Sequence, residues 1–327
     1  MPGSDNGELN PKPRILAVVG CTAGGKTALA VELARRHGGE VVSCDSMQIY
    51  RGMDIGTAKP DAAEQAGVPH WMLDVADPAD PGGYSCADYV RDAGAAVRDI
   101  LSRGKLPILC GGTGLYLDAF LRGGTFAVTE TDSALRGELT AIANREGPEA
   151  LHAMLAEVDP ESAAAIHPHN VKRVIRALEI YRTTGRKKSQ LDIESRTAQP
   201  PWDALVVGLR YNDRVILYRR IDHRVDAMLA GGLVEETRRL RQAGIFDVCS
   251  TAAQAIGYKE LFPYLDGEMT LEEAAGVLKT ATRRYAKRQI TWFSARDYVR
   301  WVDADSPDGE RDFEDIVNNV EKLFSDP

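Results

Sequence analysis

The chain has 327 residues, enough for two domains or for one large domain carrying an insertion, and its 44% hydrophobic and 27% charged content is ordinary for a soluble globular protein. No apolar run approaches the length of a membrane span, and the five scattered cysteines contain no C-x-x-C, so a membrane-spanning chain and a zinc ribbon are both excluded. The net charge of -8 argues against a uniformly basic nucleic-acid binder but leaves room for local basic clusters.

Residues 1–13 are polar and proline-bearing, without the apolar stretch of a signal peptide, and read as a disordered tail. With an odd number of cysteines in a large chain, this fits reduced thiols in a cytoplasm. Ile15 to Val19 then form a buried strand. It runs into Gly20-Cys21-Thr22-Ala23-Gly24-Gly25-Lys26-Thr27, which is G-x-x-x-x-G-K-[ST], and a helix follows from Ala28 to Arg36. Strand, loop and helix are the context a phosphate-binding loop needs. Its glycines let backbone N–H groups close around phosphate oxygens at the positive end of the helix dipole. Lys26 adds a point charge and Thr27 a hydroxyl for a magnesium ion, so the ligand carries at least two linked phosphates.

Further strands are expected at Glu40–Cys44, Trp71–Val75 and Leu106–Cys110, with helices at Ser85–Arg103, capped by Ser85 and Asp88, and at Leu115–Leu121. The alternation predicts an α/β fold of the phosphate-loop NTPase type, a parallel sheet flanked by helices with its sites at the strand C-terminal ends. Asp45 and Thr113 both fall at such ends. From residue 123 to 199 only helical spacing remains, at Ser133–Glu146, Pro148–Glu157, Pro160–Ile166 and Asn170–Thr184. A strand at Ala204–Leu209 then resumes the sheet pattern. The expected organisation is therefore a catalytic core over 14–122 and 200–327, interrupted by an all-helical insertion domain over 123–199. Helices at Arg214–Ala230, Leu233–Gln242, Thr251–Phe262 and Leu271–Ala295, a last strand at Val299–Asp303 and a final helix at Phe313–Phe324 complete the chain.

Two segments are strongly basic. Residues 170–188 and residues 279–300 each hold seven Lys or Arg against one carboxylate, a net +6 apiece. In the second, Arg284, Lys287 and Arg288 share one helix face, with Gln289, Trp292 and Phe293 following. Cations interleaved with amide and aromatic groups suit a nucleic-acid backbone and its splayed bases; a merely solvated helix face is the alternative.

A phosphate loop usually suggests a nucleotide-binding enzyme, an ATPase or a small-molecule kinase, with Asp45 on a Walker B strand serving the metal. The residues beyond Asp45 point elsewhere. Asp45-Ser46-Met47-Gln48-Ile49-Tyr50-Arg51-Gly52-Met53-Asp54-Ile55-Gly56-Thr57-Ala58-Lys59-Pro60 resembles the signature of the tRNA dimethylallyltransferases, the IPP transferase family. So do Pro69 to Asp74, Gly111 to Tyr116, Lys172 to Glu179, Gln254 to Lys259 and Thr282 to Phe293, in order along residues 14–300. The absence of a zinc finger after these motifs suits a bacterial-type member.

The resemblance implies transfer of a dimethylallyl group from dimethylallyl pyrophosphate to N6 of the adenine at position 37, beside the anticodon of tRNA, in a cytoplasmic enzyme expected to be a monomer. It implies that Gly20, Thr22, Ala23, Gly24, Gly25, Lys26 and Thr27 hold the donor pyrophosphate rather than ATP, with magnesium at Thr27. Asp45 matches the family's general base, and Thr113 a residue touching the pyrophosphate or the acceptor region. Arg220, Arg224 and Arg136 are candidate pyrophosphate ligands. Asp45-Ser46-Met47-Gln48, Lys172-Arg173-Val174-Ile175-Arg176, Gln254-Ala255-Ile256-Gly257-Tyr258-Lys259, and Arg284, Lys287, Arg288 and Gln289 are the expected tRNA contacts of the anticodon stem-loop. The loop carries Cys21 where the family commonly has proline and Gly24 where it commonly has serine, and Trp71 stands where relatives often repeat histidine. The competing readings are an adenylate isopentenyltransferase acting on free AMP, ADP or ATP, a small-molecule kinase, and a nucleotide-dependent RNA-binding module.

Overall fold

A computed structural model of the chain describes residues 12–123, 132–197, 199–248 and 251–325. Most of the expected tail, residues 1–11, lies outside them, as does Cys249. Six strands, β1 (Arg14–Gly20), β2 (Glu40–Ser43), β3 (His70–Trp71), β4 (Pro107–Gly111), β5 (Asp203–Arg210) and β6 (Val299–Asp303), form one sheet in the order β3-β2-β4-β1-β5-β6. Every pairing is parallel. The central strand β1 reads as an unbroken apolar run because both of its faces are covered, and Ile15 to Val18 are fully buried.

Helices α1 (Lys26–His37), α2 (Cys86–Ser102) and α3 (Gly114–Leu121) belong to the first half of the chain. Ser85 and Asp88 close the capping box at the start of α2 as their spacing foretells, each satisfying a backbone N–H that the helix leaves open. Five helices follow: α4 (Ser133–Glu146), α5 (Pro148–Val158), α6 (Pro160–Ala165), α7 (Val171–Thr184) and α8 (Lys188–Thr197). The last of these has no counterpart among the expected helices. After β5 come α9 (Arg214–Ala230), α10 (Leu233–Gln242), α11 (Leu271–Ser294) and, beyond β6, α12 (Phe313–Ser325). Among the described residues no helix is long and apolar enough to cross a membrane.

The chain divides into two compact units, residues 1–120 with 201–327, and residues 121–200. The first is built on the sheet, with Leu29, Leu33, Val317 and Val320 of α1 and α12 packed against Leu16, Val18 and Val207. A second cluster in this unit joins Ile49, Met53, Leu233, Tyr258 and Leu278 beyond the strand ends. The helical unit has its own core of Leu139, Leu151, Leu155, Val174 and Leu178. At its centre Glu179, fully buried, accepts from Arg136 Nε at 2.8 Å and Arg176 Nη1 at 2.6 Å.

Two expectations are corrected, and one element is new. The strand expected over Trp71–Val75 ends at Trp71, because Met72 and Asp74 take φ of 63° and 57° and leave the extended region. The helix expected over Thr251–Phe262 is two short 3-10 turns, Ala252–Gln254 and Lys259–Leu261. Between them Gly257 takes φ 122° and lies so close to Gly56 that a Cβ would stand 3.1 Å from the Gly56 carbonyl oxygen. A small antiparallel pair, Asp305–Ser306 with Gly309–Glu310, follows β6 without a sequence signal.

Candidate active site

The phosphate loop turns from β1 into α1 at the sheet's C-terminal edge. Gly20 leaves β1 at φ 140°, where a Cβ would stand 2.8 Å from the Leu209 carbonyl oxygen, and Gly25 at φ 86° opens α1. Ala23 sits between them at φ 58°, a left-handed conformation that costs a non-glycine residue roughly 1 kcal/mol or more. Two long side chains hold the loop there. Arg220 Nε donates to the Ala23 carbonyl at 2.9 Å, and Gln289 Oε1 accepts from the Thr22 N–H at 2.8 Å while its Nε2 donates to the Gly112 carbonyl at 3.0 Å. Lys26 Nζ folds back to the Cys21 carbonyl at 2.6 Å. Burial holds the Lys26 ammonium below its ordinary basicity, with Arg224 acting in the same sense and Asp45 against it.

Asp45 lies two residues beyond the end of β2. Its Oδ1 accepts from the Met47 N–H at 2.9 Å, which folds residues 45–47 into a tight turn. Thr113, after β4, fastens that turn from behind: its Oγ1 accepts from the Ser46 N–H at 3.0 Å and its own N–H donates to the Cys44 carbonyl at 3.2 Å. Gln48 ties the turn onward, accepting from Ser43 Oγ at 2.9 Å and donating to the Ala58 carbonyl at 3.0 Å.

Loop and turn face one cavity of about 530 Å³, whose lining includes Thr22, Lys26, Thr27, Asp45, Arg224 and Tyr285. Thr113 is not part of that lining. Of the three candidate arginines, Arg224 faces the cavity, and burial lowers its basicity against the opposing pull of Glu64 and Asp45. Arg220 is engaged by Ala23 and Glu310, and Arg136 is clamped on Glu179 in the helical unit. Tyr285, one turn from the exposed Arg288, was missing from the expected site. Burial pushes its hydroxyl upward, with Asp45 adding to the shift, so it remains a protonated donor beside Thr113 and Gln289. His70 lines the far part of the cavity; its Nδ1 bonds the Val68 carbonyl at 2.8 Å, while its buried Nε2 has no partner among the described residues.

Thr27 and Asp45 offer hydroxyl and carboxylate oxygen on that same cavity, the donor chemistry magnesium prefers. No group of three or more His, Cys, Asp or Glu is placed to hold a metal among the described residues. Such a set suits an ion held mainly by substrate phosphates and water.

The geometry has known counterparts. The model of the IPP transferase family matches residues 48–296. The chain belongs to the IPP transferase family. A tRNA dimethylallyltransferase of Geobacillus thermodenitrificans is 49% identical over 311 residues, covering 95% of each chain. Among solved structures, a tRNA isopentenylpyrophosphate transferase from Bacillus halodurans is 45% identical with a TM-score of 0.69, covering 96% of both chains. A eukaryotic dimethylallyltransferase acting on tRNA superposes with a TM-score of 0.79 at 29% identity, over 96% of this chain and 80% of that one.

Within this IPP transferase the expected acceptor contacts sort by exposure. Val174 and Ile175 are buried in the helical core, Ala255 and Tyr258 in the cluster beyond the strand ends, and Gln289 behind the phosphate loop. In α7, helical spacing turns Val174 and Ile175 inward while Lys172 and Arg173 face out. Ser46, Met47, Gln48, Gln254, Ile256, Gly257 and Lys259 line the cavity, as do the buried Ala255 and Gln289. The basic segments are also less bare than their sequences suggest. Arg176, Arg182, Arg186 and Lys188 pair with Glu179, Glu138, Glu194 and Asp192. Lys279, Arg283 and Arg296 pair with Asp226, Asp222 and Asp118. Arg284, Lys287 and Arg288 remain exposed with no carboxylate partner among the described residues, and Arg284 and Arg288 reach the cavity lining.

The departures from the family's usual residues are accommodated locally. A Cβ on Gly24 would stand 2.9 Å from the Cys21 carbonyl, so the loop is shaped to a glycine at that position. Cys21 is buried, which pushes its thiol upward and keeps it protonated. Trp71 places its indole N–H on Glu40 at 2.8 Å.

Proposed function

We propose that this chain transfers the dimethylallyl group of dimethylallyl pyrophosphate to N6 of adenosine 37 in tRNA, giving N6-isopentenyladenosine and pyrophosphate. The observation that carries this reading is the shared cavity: a phosphate loop on one wall and a turn presenting Asp45 on another, in a chain of this family. Two linked phosphates fit the loop amides and Lys26. Arg224 adds a second cation, and both meet the negative charge that grows on the departing pyrophosphate. Magnesium held through Thr27 would neutralise part of that charge.

Adenine N6 is a poor nucleophile because its lone pair is delocalised into the ring. As the N6–C1 bond forms and the C1–O bond to pyrophosphate breaks, the N6 proton passes to Asp45. The Met47 N–H and the Thr113 staple hold that carboxylate in one place, so orientation is fixed before the acceptor arrives. The bare cations Arg284, Lys287 and Arg288 and the exposed Lys172 and Arg173 suit a polyanionic acceptor better than a free nucleotide.

The test is transfer of radiolabel from dimethylallyl pyrophosphate to unmodified tRNA or to AMP. Label in tRNA, located at position 37 by nuclease mapping, is the expected result. Label in AMP alone supports the adenylate enzyme, and robust ATP hydrolysis without tRNA supports the kinase or ATPase reading.

A further inference from the structure

The described residues include a buried carboxylate to which the reaction above assigns no part. Glu236, on α10, has only 7% of its surface exposed. Its Oε2 accepts from the N–H groups of Asp54 and Ile55 at 3.1 and 3.0 Å, and its Oε1 from the Gly56 N–H at 2.9 Å and Tyr258 Oη at 2.8 Å. Three consecutive backbone amides thus converge on one side chain, and the fourth donor comes from a separate segment. Burial and the adjoining Glu236 charge push the Tyr258 phenol far above its ordinary range, so it stays a donor.

The two segments it joins are walls of the cavity. Gly56, Thr57 and Ala58 line it on one side, and Gln254, Ile256 and Gly257 on the other. They touch across a seam with no spare room, where a Cβ on Gly56 would lie 2.4 Å from the Tyr258 ring. From Ala58 the connection continues through Gln48 to Ser43, the last residue of β2 before Cys44 and Asp45. Lys26, Thr27 and Arg224 are not among the hydrogen-bond donors that hold Glu236. Among the described residues the hydrogen bonds of the clamp therefore lead to the turn that carries Asp45 and not to Lys26, Thr27 or Arg224.

We propose that Glu236 is the positioning residue for the acceptor side of the cavity, fixing residues 54–58 against 254–258 and, through Gln48, the Asp45 turn. The proposal rests on the prenyl-transfer reading for its kinetic consequences, while the clamp itself is readable without them. Glu236→Gln keeps the shape but loses one acceptor oxygen, which had served two donors. Whichever way the amide faces, its NH₂ points at two donors that the carboxylate had satisfied. Tyr258→Phe is milder, since it removes one donor and leaves three in place.

Hydrogen exchange and steady-state kinetics together test this. In Glu236→Gln the amides of Asp54, Ile55 and Gly56 should exchange faster, while those of β1 and α1 stay protected. The kcat should fall roughly 100-fold, the cost of about 1 Å of misplacement, with the acceptor KM raised and the donor KM within about twofold of wild type. Tyr258→Phe should move each quantity the same way by less. Unchanged exchange at 54–56 overturns the clamp whatever the acceptor proves to be. Faster exchange with unchanged kcat, or with donor and acceptor KM rising together, overturns its positioning role. A wild type that labels no tRNA strikes the proposed function and leaves the exchange measurement standing.

Discussion

Among the described residues Asp45 accepts one backbone hydrogen bond and lines the cavity. Its Oδ1 is occupied by the Met47 N–H, and the residue faces a cavity shared with two cations, Lys26 and Arg224. Under the proposed function that arrangement presents the carboxylate as the base while its turn is held still. Asp45→Ala should lower kcat by roughly 10²–10⁴, the usual contribution of a positioned base, with donor binding little changed. Single-turnover transfer and equilibrium binding of dimethylallyl pyrophosphate measure the two separately; wild-type turnover by the variant removes Asp45 from the chemistry. At this scale the sequence was informative about identity and less so about orientation. The loop motif and the place of Asp45 at a strand end are read from local spacing, while its role as the base comes from the family resemblance. The tie from Gln289 to the phosphate loop and the clamp on Glu236 are not read from spacing, because the backbone groups they hold lie about 180 to 270 residues away and only the fold brings them together.

Among the elements, α11 joins two tasks. Its buried side carries Gln289 to the phosphate loop, and its exposed side carries Arg284, Lys287 and Arg288. Replacing these three with alanine should weaken tRNA binding and flatten its dependence on salt by about 0.7–0.9 for each phosphate that is no longer neutralised. Filter binding across a salt series measures both, and coincident slopes for variant and wild type would make the face ordinary solvated surface. Strand β2 gives a second expectation. Hydrogen bonds from Arg103, with Lys105 and Trp71 adding to them, hold the buried Glu40 carboxyl down at about 2. A depressed carboxylate contributes its stability above the unfolded value near 4.5 and loses it as pH falls toward the folded one. Wild type should therefore melt above Glu40→Gln at pH 7, and the gap should close between about pH 4.5 and 2. Local signals found most elements here: the α2 capping box is written in Ser85 and Asp88. The break at Gly257 is not, since the helical spacing of residues 251–262 is genuine. What defeats it is the Tyr258 ring, pinned to Glu236 and packed on Gly56.

At the scale of the whole molecule, the helical unit leaves the sheet unit after Phe120 and the chain returns at Pro201. The two junctions are fastened to each other within the sheet unit. Phe120 and Trp202 stack with centroids 5.2 Å apart and planes 3° from parallel, and the Trp202 indole N–H donates to the Phe120 carbonyl at 3.3 Å. In polymer terms the insertion is a loop tied at the neck. The entropy of closing such a loop grows only with the logarithm of its length, about 0.6 kcal/mol for each doubling, so the sheet unit is nearly indifferent to how much chain the neck encloses. Exchanging residues 122–200 for a short glycine–serine bridge should leave a chain that melts cooperatively and still binds dimethylallyl pyrophosphate, with tRNA affinity reduced. Calorimetry and donor titration check this, and a chain without a cooperative transition would show that the sheet unit draws its stability from the insert. The stacked pair thus marks a place where material can be added or removed without rewriting the catalytic unit, and where enzymes of this kind are free to differ in length.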